Sequence, residues 1–140
     1  MTTEQTLRRG LWVLAAAVCI GTASELALLN HTESAVQLVP FALCALGLTA
    51  SGAGFKPTPK TLLFARIVAV ILALGAAFGI WEHFEHNYAF SAEIRPTADM
   101  PTLLKEAFFG ASPLLAPGGL LIGGALLGLA TWRHPMETTP

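Results

Sequence analysis

Apolar residues occur along this chain in four long runs that shorter polar segments separate. The runs cover about 10–30, 35–54, 59–87 and 113–132, and two of them contain no charged residue. A bilayer core about 30 Å thick requires roughly 20 apolar residues of α-helix. Because backbone groups inside hydrocarbon must form their hydrogen bonds within the segment, each run is predicted to be a transmembrane helix.

The segment between the third and fourth runs, 88–112, is predicted to be an outer loop that carries one short helix. Nothing breaks the third helix before about Ala92, so its last three turns are predicted to stand out of the bilayer. Asp99 is a typical N-cap residue and Gly110 is a typical helix terminator. The apolar face of this short helix consists of Leu103, Leu104, Ala107 and Phe108. The sequence therefore predicts an all-α integral membrane protein with a single domain over 1–140. Its fold is a four-transmembrane-helix bundle with a short amphipathic helix at the outer surface between the third and fourth spans.

The composition agrees with a membrane protein. Of the 140 residues, 54% are apolar and only 12% are charged, whereas a soluble domain carries about 25% charged residues. The net charge of −1 and the lack of a basic cluster give no reason to expect a nucleic-acid partner. We expect the protein to lie in the lipid bilayer and to bind a membrane protein partner or a second copy of the chain.

The basic residues near the ends of the runs predict the topology. Positively charged residues are enriched in the short cytoplasmic flanks of transmembrane helices. The loop 30–34 contains no Lys or Arg, whereas the flanks predicted to face the other side contain Arg8, Arg9, Lys56, Lys60 and Arg133. We therefore expect a multi-pass protein of the inner (plasma) membrane with both termini in the cytoplasm.

Small residues at helical spacing predict where the helices pack. In lipid, Gly and Ala allow helix backbones to approach closely and so mark helix contacts. We expect such contacts on the first run at Ala17 and Gly21, on the third at Ala65, Ala69, Ala76 and Gly79, and on the fourth at Gly119, Gly123, Gly124 and Gly128. Continued along the third run, its small-residue stripe reaches His83 and His86.

The densest polar cluster of the chain lies at the outer end of the third run. His83 and His86 are three residues apart and share one helical turn with Glu82. Imidazole and carboxylate groups are ligands for a divalent metal such as Zn²⁺. Glu25 is predicted to lie at similar depth, so the candidate metal ligands are His83, His86, Glu25 and Glu82. Alternatively, this turn is simply solvated at the membrane surface.

Three further polar residues accompany this candidate site: His31, Glu85 and Gln37. Gln37 opens the second run, where it is predicted to reach Glu25 by a hydrogen bond. An ionisable group such as Glu25 within a span usually faces the bundle interior or a wet cavity.

The sequence favours a protein that is not an enzyme. No nucleophile–base pair and no complete ligand set is visible, so no catalytic residue is predicted. Cys19 and Cys44 lie in the middle of separate spans without a Cys-x-x-Cys motif. The favoured function is a non-catalytic accessory or binding protein that presents an acidic, histidine-bearing outer cluster. The alternatives are a small transporter or channel subunit for a cation, and a metal-dependent membrane enzyme.

Overall fold

The computed structural model describes residues 2–134, and over this part of the chain it contains helices and no strand. In chain order the helices are α1 (Thr3–Leu28), α2 (Ala35–Gly54), α3 (Pro59–Ile94), α4 (Met100–Phe109) and α5 (Gly118–Thr131). The all-α prediction is confirmed. Helices α1, α2 and α3 are long and apolar enough to cross a membrane, whereas α5 is apolar but has only 14 residues.

Polar caps explain where several helices begin. The Thr2 side chain accepts a hydrogen bond from the Gln5 backbone, and the Gln5 side chain bonds back to Thr2, which starts α1 ahead of its apolar run. Ser34 caps α2, whose bounds agree with the predicted 35–54. Asp99 caps α4 and Gly110 follows its last residue, so the short helix has its predicted ends.

The helix of the fourth predicted span begins late. The sequence predicts a span from Pro113 in which Pro117 causes a kink or a late start, and α5 begins at Gly118. Pro117 has no N–H that could bond the Pro113 carbonyl, which weakens a helix at this turn. The backbone N–H of Ala116 donates to that carbonyl at 3.1 Å in a tight turn. At 1.5 Å per residue, α5 alone is about 21 Å long, which is shorter than a bilayer core.

The third helix continues beyond its predicted membrane span, 59–87. The sequence predicts that nothing breaks this helix before about Ala92, and α3 ends close to that point, at Ile94. The first part of the predicted outer loop, 88–94, is therefore helical. No Pro or Gly interrupts the chain between Ile80 and Arg95, so nothing in this stretch breaks the helix.

The chain forms two compact units. Within the described residues, the first unit comprises 2–75 and 119–134 and includes α1, α2, α5 and the N-terminal part of α3. The second unit, Ala76–Gly118, includes the C-terminal part of α3 and all of α4.

Small residues bring the helices of the first unit into close contact. A Cβ atom on Gly54 would overlap the Trp12 indole, and one on Gly47 would lie 2.6 Å from the Cys19 Sγ atom. A Cβ atom on Gly124 of α5 would lie 2.8 Å from the Ala69 carbonyl oxygen of α3. Of the predicted contact residues on these two runs, Ala65, Gly123 and Gly124 are buried. Gly128 is not a contact residue, because a Cβ atom there would meet nothing within 4 Å.

The predicted contact face of α1 is wrong. Ala17 and Gly21 are exposed, and a Cβ atom on Gly21 would meet nothing within 4 Å. The buried side of α1 consists of Trp12, Ala15 and Cys19. The Trp12 indole fits against Gly54, so a large and a small residue allow close helix packing here as two small residues would. Close van der Waals packing is what matters for helix association in lipid.

Buried hydroxyl groups in the first unit bond to their own helices. The Ser51 hydroxyl donates to the Gly47 carbonyl at 2.9 Å, and the Thr131 hydroxyl contacts the Leu127 carbonyl at 3.1 Å. Such bonds satisfy a polar group without any partner from another helix. The interior of this unit is therefore held together by packing.

Candidate functional site

The polar cluster of the third run lies in the second unit, where its two histidines have different surroundings. The His83 Nδ1 atom lies 2.7 Å from the Pro113 carbonyl oxygen. Since a carbonyl oxygen only accepts, Nδ1 carries the proton in this contact, which leaves Nε2 as the acceptor of a neutral ring. In a continuous helix, the N–H of residue 117 would donate to this Pro113 carbonyl, but Pro117 has no N–H. His86, by contrast, is exposed.

Asn87 is the best-connected polar side chain of the second unit and is only 3% exposed. Its Nδ2 group donates to the carbonyl oxygens of Ala107 at 3.1 Å and of Ser112 at 2.8 Å. Its Oδ1 atom accepts from the Ser112 N–H at 2.9 Å. One amide thus satisfies a carbonyl at the end of α4 and both backbone groups of Ser112.

Close approach to Asn87 also explains the glycine that follows α4. A Cβ atom on Gly110 would lie 2.6 Å from the Asn87 Cγ atom and 2.7 Å from the Glu106 carbonyl oxygen. A side chain at this position would displace the amide from its backbone partners. Gly110 therefore serves the packing of the second unit as well as the end of α4.

Further contacts hold the remaining parts of the second unit. Arg95, just beyond α3, forms an ion pair with Glu106 of α4, and the rings of Phe84 and Phe108 meet edge to face at 5.2 Å. The chain that follows α4 then runs antiparallel to α3. The register of this return segment pairs Ser112 with Asn87, Pro113 with His83 and Pro117 with Gly79.

The opposite side of α3 in this unit presents charged side chains to the exterior. At 100° per residue, residues 82, 86 and 93 fall on one side of the helix and residue 85 lies at its edge. We name this surface the acidic face of α3; it consists of Glu82, Glu85, His86 and Glu93. Glu82 is half-buried and the other three side chains are exposed.

The remaining predicted site residues lie elsewhere. Glu25 is exposed on α1 in the first unit, and a joint site with the two histidines stays a prediction. His31 is half-buried in the turn after α1. The Gln37 side-chain oxygen accepts a hydrogen bond from the Glu33 N–H at 2.6 Å, so it serves the start of α2. Within residues 2–134, no group of three His, Cys, Asp or Glu side chains is placed to hold a metal ion.

Sequence reasoning missed two arginines that bind the C-terminal end of α5. The Arg8 guanidinium donates to the carbonyl oxygens of Ala130 and Trp132, both at 2.9 Å, and of Arg133 at 3.1 Å. Arg66 donates to the Thr131 carbonyl at 2.7 Å. The last carbonyls of a helix lack internal partners and carry partial negative charge, which guanidinium groups offset. For Arg8, the available signal was its predicted position on the same side of the membrane as Arg133.

The chain matches no protein-family model, no curated protein and no solved structure. A functional assignment therefore rests on the geometry and charge of the described residues. The acidic face of α3 combines carboxylates with an imidazole, and carboxylates form charge-assisted hydrogen bonds with cationic groups.

Proposed function

We propose that the protein is a non-catalytic, multi-pass protein of the inner membrane that binds a partner through the acidic face of α3. Three helices long and apolar enough to cross a membrane support the membrane location. The distribution of basic residues supports termini in the cytoplasm and an acidic face on the outer side. Partner binding gives the charged side chains of this face a role.

The proposal rests on a difference between the inward and the outward side chains of α3 in the second unit. The inward residues His83 and Asn87 hold the return segment through backbone hydrogen bonds. The acidic face projects away from these bonds, and its exposed members are not needed to close the fold. The side of a helix that is polar and makes no internal contacts typically faces water or a partner.

The chemistry of the acidic face favours a partner with Lys or Arg side chains. Clustered carboxylates attract a cationic segment, raise its rate of association and disfavour acidic partners. The partner we propose is therefore the basic outer segment of another membrane protein. Individual exposed ion pairs contribute little affinity, so several carboxylates must act together.

The alternative functions have less support in the described residues. A cation transporter needs polar groups along a path through the spans, but the buried hydroxyls Ser51 and Thr131 bond to their own helices. A metal enzyme needs a ligand set, and within residues 2–134 no three His, Cys, Asp or Glu side chains are grouped to provide one.

Photo-crosslinking in native membranes tests the proposal. A benzophenone amino acid at position 85 should give a defined adduct with one partner protein, and the adduct should weaken severalfold in Glu82→Gln/Glu93→Gln. The matched control Glu4→Gln/Glu33→Gln removes the same charge elsewhere and should leave the adduct unchanged. The same probe at Leu74, which is 65% exposed in the first unit, should not give this adduct. The proposal would be contradicted if Glu82→Gln/Glu93→Gln left the adduct unchanged. It would also be contradicted if the probe gave the adduct equally at positions 85 and 74.

A further inference from the structure

The short helix α4 exposes a row of apolar side chains. Its buried residues, Leu103 and Ala107, pack within the second unit. Three residues spaced four apart lie along one side of this buried line, and they are between 41% and 56% exposed. We name this row the apolar flank of α4; it consists of Met100, Leu104 and Phe108. At 100° per residue, the polar residues Thr102 and Glu106 lie on the other side of the buried line.

Contacts with neighbouring residues hold α4 on both sides. On the apolar flank, the Phe108 ring meets the Phe84 ring of α3 edge to face at 5.2 Å. On the polar side, Glu106 forms its ion pair with Arg95. Rotation of α4 that buried the apolar flank within the second unit would break both contacts. The flank is therefore presented outward in a fixed direction.

The apolar flank continues onto an exposed aromatic side chain of α3. Phe84, which meets Phe108, also stacks on Trp81 with ring centroids 6.1 Å apart. Trp81 is 62% exposed, and it belongs to a helix that is long and apolar enough to cross a membrane. Trp side chains are enriched at membrane–water interfaces. This row of three aromatic rings therefore connects α4 with a predicted interface.

We infer that the apolar flank of α4 inserts into the outer leaflet of the bilayer and anchors the second unit to lipid. A helix that is apolar on one side and polar on the other lies in the plane of the interface, with its apolar side among the acyl chains. Exposed Lys105 lies beside the flank, from where its long side chain can reach headgroup phosphates. The helix has 10 residues and a length of about 15 Å, so it suits the surface and is too short to cross the bilayer.

Lipid accounts for this flank better than water or a second copy of the chain does. Water disfavours a contiguous row of large apolar side chains. A second copy would also cover the row, but it would not explain why the row continues to an exposed Trp on a candidate membrane span. The inference rests on the membrane location proposed above and not on the partner of the acidic face of α3.

Spin-label accessibility tests this inference on the full chain in vesicles of phosphatidylethanolamine and phosphatidylglycerol. Nitroxides are attached to Leu104→Cys on the apolar flank, Glu93→Cys on the acidic face and Leu74→Cys in the first unit, each in a background lacking Cys19 and Cys44. Oxygen concentrates in hydrocarbon, whereas a polar nickel complex stays in water. We expect oxygen to relax the labels at positions 104 and 74 severalfold more than nickel does, and position 93 to show the reverse. A label at Met100→Cys is an independent repeat on the same flank.

Three results would overturn the inference. Labels at positions 104 and 100 that are as accessible to nickel as the label at position 93 would place the flank in water. Exclusion of both reagents, with spin–spin broadening that disappears on dilution with unlabelled protein, would show that a second copy covers the flank. Nickel access at position 74 as well would contradict the membrane location and therefore the proposed function. Hydrocarbon at position 74 with water at position 104 contradicts only the lipid contact of α4.

Discussion

The interiors of the two units are held together by different interactions. In the first unit, glycines and alanines bring helices into contact, and the buried hydroxyls of Ser51 and Thr131 bond to their own helices. Side-chain hydrogen bonds between its helices occur at one end, where Arg8 and Arg66 bind the last carbonyls of α5. In the second unit, the side chains of His83 and Asn87 bond to backbone groups of a return segment. Close packing suits a lipid surrounding, where apolar attraction between helices is absent.

This difference indicates what surrounds each unit. In the first unit, large apolar side chains such as Leu63, Leu74 and Leu129 are more than half exposed, which water would disfavour and lipid would not. In the second unit, apolar side chains such as Phe109 and Leu115 are exposed as well, but the acidic face of α3 is directed outward, which hydrocarbon would disfavour strongly. The first unit therefore suits the bilayer and the acidic face suits water.

The largest expected effect concerns packing in the first unit. Gly124→Leu should lower the free energy of unfolding by about 3 kcal/mol, the upper part of the range for overpacking. The physical reason is the Ala69 carbonyl oxygen, which lies 2.8 Å from a Cβ at this position and cannot move without its helix. Thermal unfolding in mild detergent measures the effect.

Gly128→Leu is the matched control on the same helix. Its Cβ meets nothing within 4 Å, and leucine has the higher helix propensity, so its unfolding should resemble that of the parent. Equal stability of the two variants would show that α5 does not pack tightly on α3.

A smaller and more local effect is expected in the second unit. Asn87→Leu leaves both backbone groups of Ser112 and the Ala107 carbonyl without this partner, which should cost about 2 kcal/mol. Amide hydrogen exchange should accelerate by about thirtyfold across α4, the factor that corresponds to this free energy. Amides of α1 and α2 should be unaffected.

His86→Ala is the control for Asn87→Leu, because it removes an exposed polar side chain from the adjacent position. Its exchange pattern should match that of the parent. If Asn87→Leu accelerated exchange in α1 and α2 as much as in α4, the contrast between the two units would be lost.

The smallest effect is a dependence on pH at the start of α4. Hydrogen bonds from Thr102, through its side chain and then its backbone N–H, hold the pKa of Asp99 below its ordinary value. Because the folded pKa is the lower one, the cap contributes stability above the ordinary range of Asp. This contribution is lost as the pH falls through the folded pKa.

Amide exchange or amide chemical shifts of α4 measure this dependence. The helix should be fully capped at neutral pH and should fray only in acid. Asp99→Asn keeps the cap without the titration and should show no such change. Fraying of the parent near pH 6 would indicate a different titrating group.

The sequence predicted the elements whose signals are local. The bounds of α2 follow from the cap at Ser34 and the break at Gly54, and those of α4 follow from Asp99 and Gly110. Pro117, about one turn inside the fourth run, predicted a kink or a late start of that helix, and the structure has the late start. The sequence alone could not choose between the two, because Pro40 lies inside α2 without ending it.

The site was predicted less well than the fold. The small-residue stripe of α3 continues through buried Asn87 and Ser91 and not through exposed His86. A spacing of three or four residues is equally helical, so periodicity alone could not choose between His86 and Asn87. The hydrogen bonds of Arg8 and Arg66 to the end of α5 join residues far apart in the chain, which no local pattern contains.

Single-cysteine labelling tests the central claim most directly: the acidic face of α3 lies in water on the outer side, and the first unit lies in lipid. The variants His86→Cys, Leu74→Cys and Lys60→Cys, in a background lacking Cys19 and Cys44, are treated with an impermeant thiol reagent in right-side-out membrane vesicles. We expect position 86 to react at once, position 60 to react only after the vesicles are opened, and position 74 to stay unreactive in both states. Labelling of position 74 as readily as position 86 would contradict this account. So would labelling of position 60 in closed vesicles in which position 86 does not react.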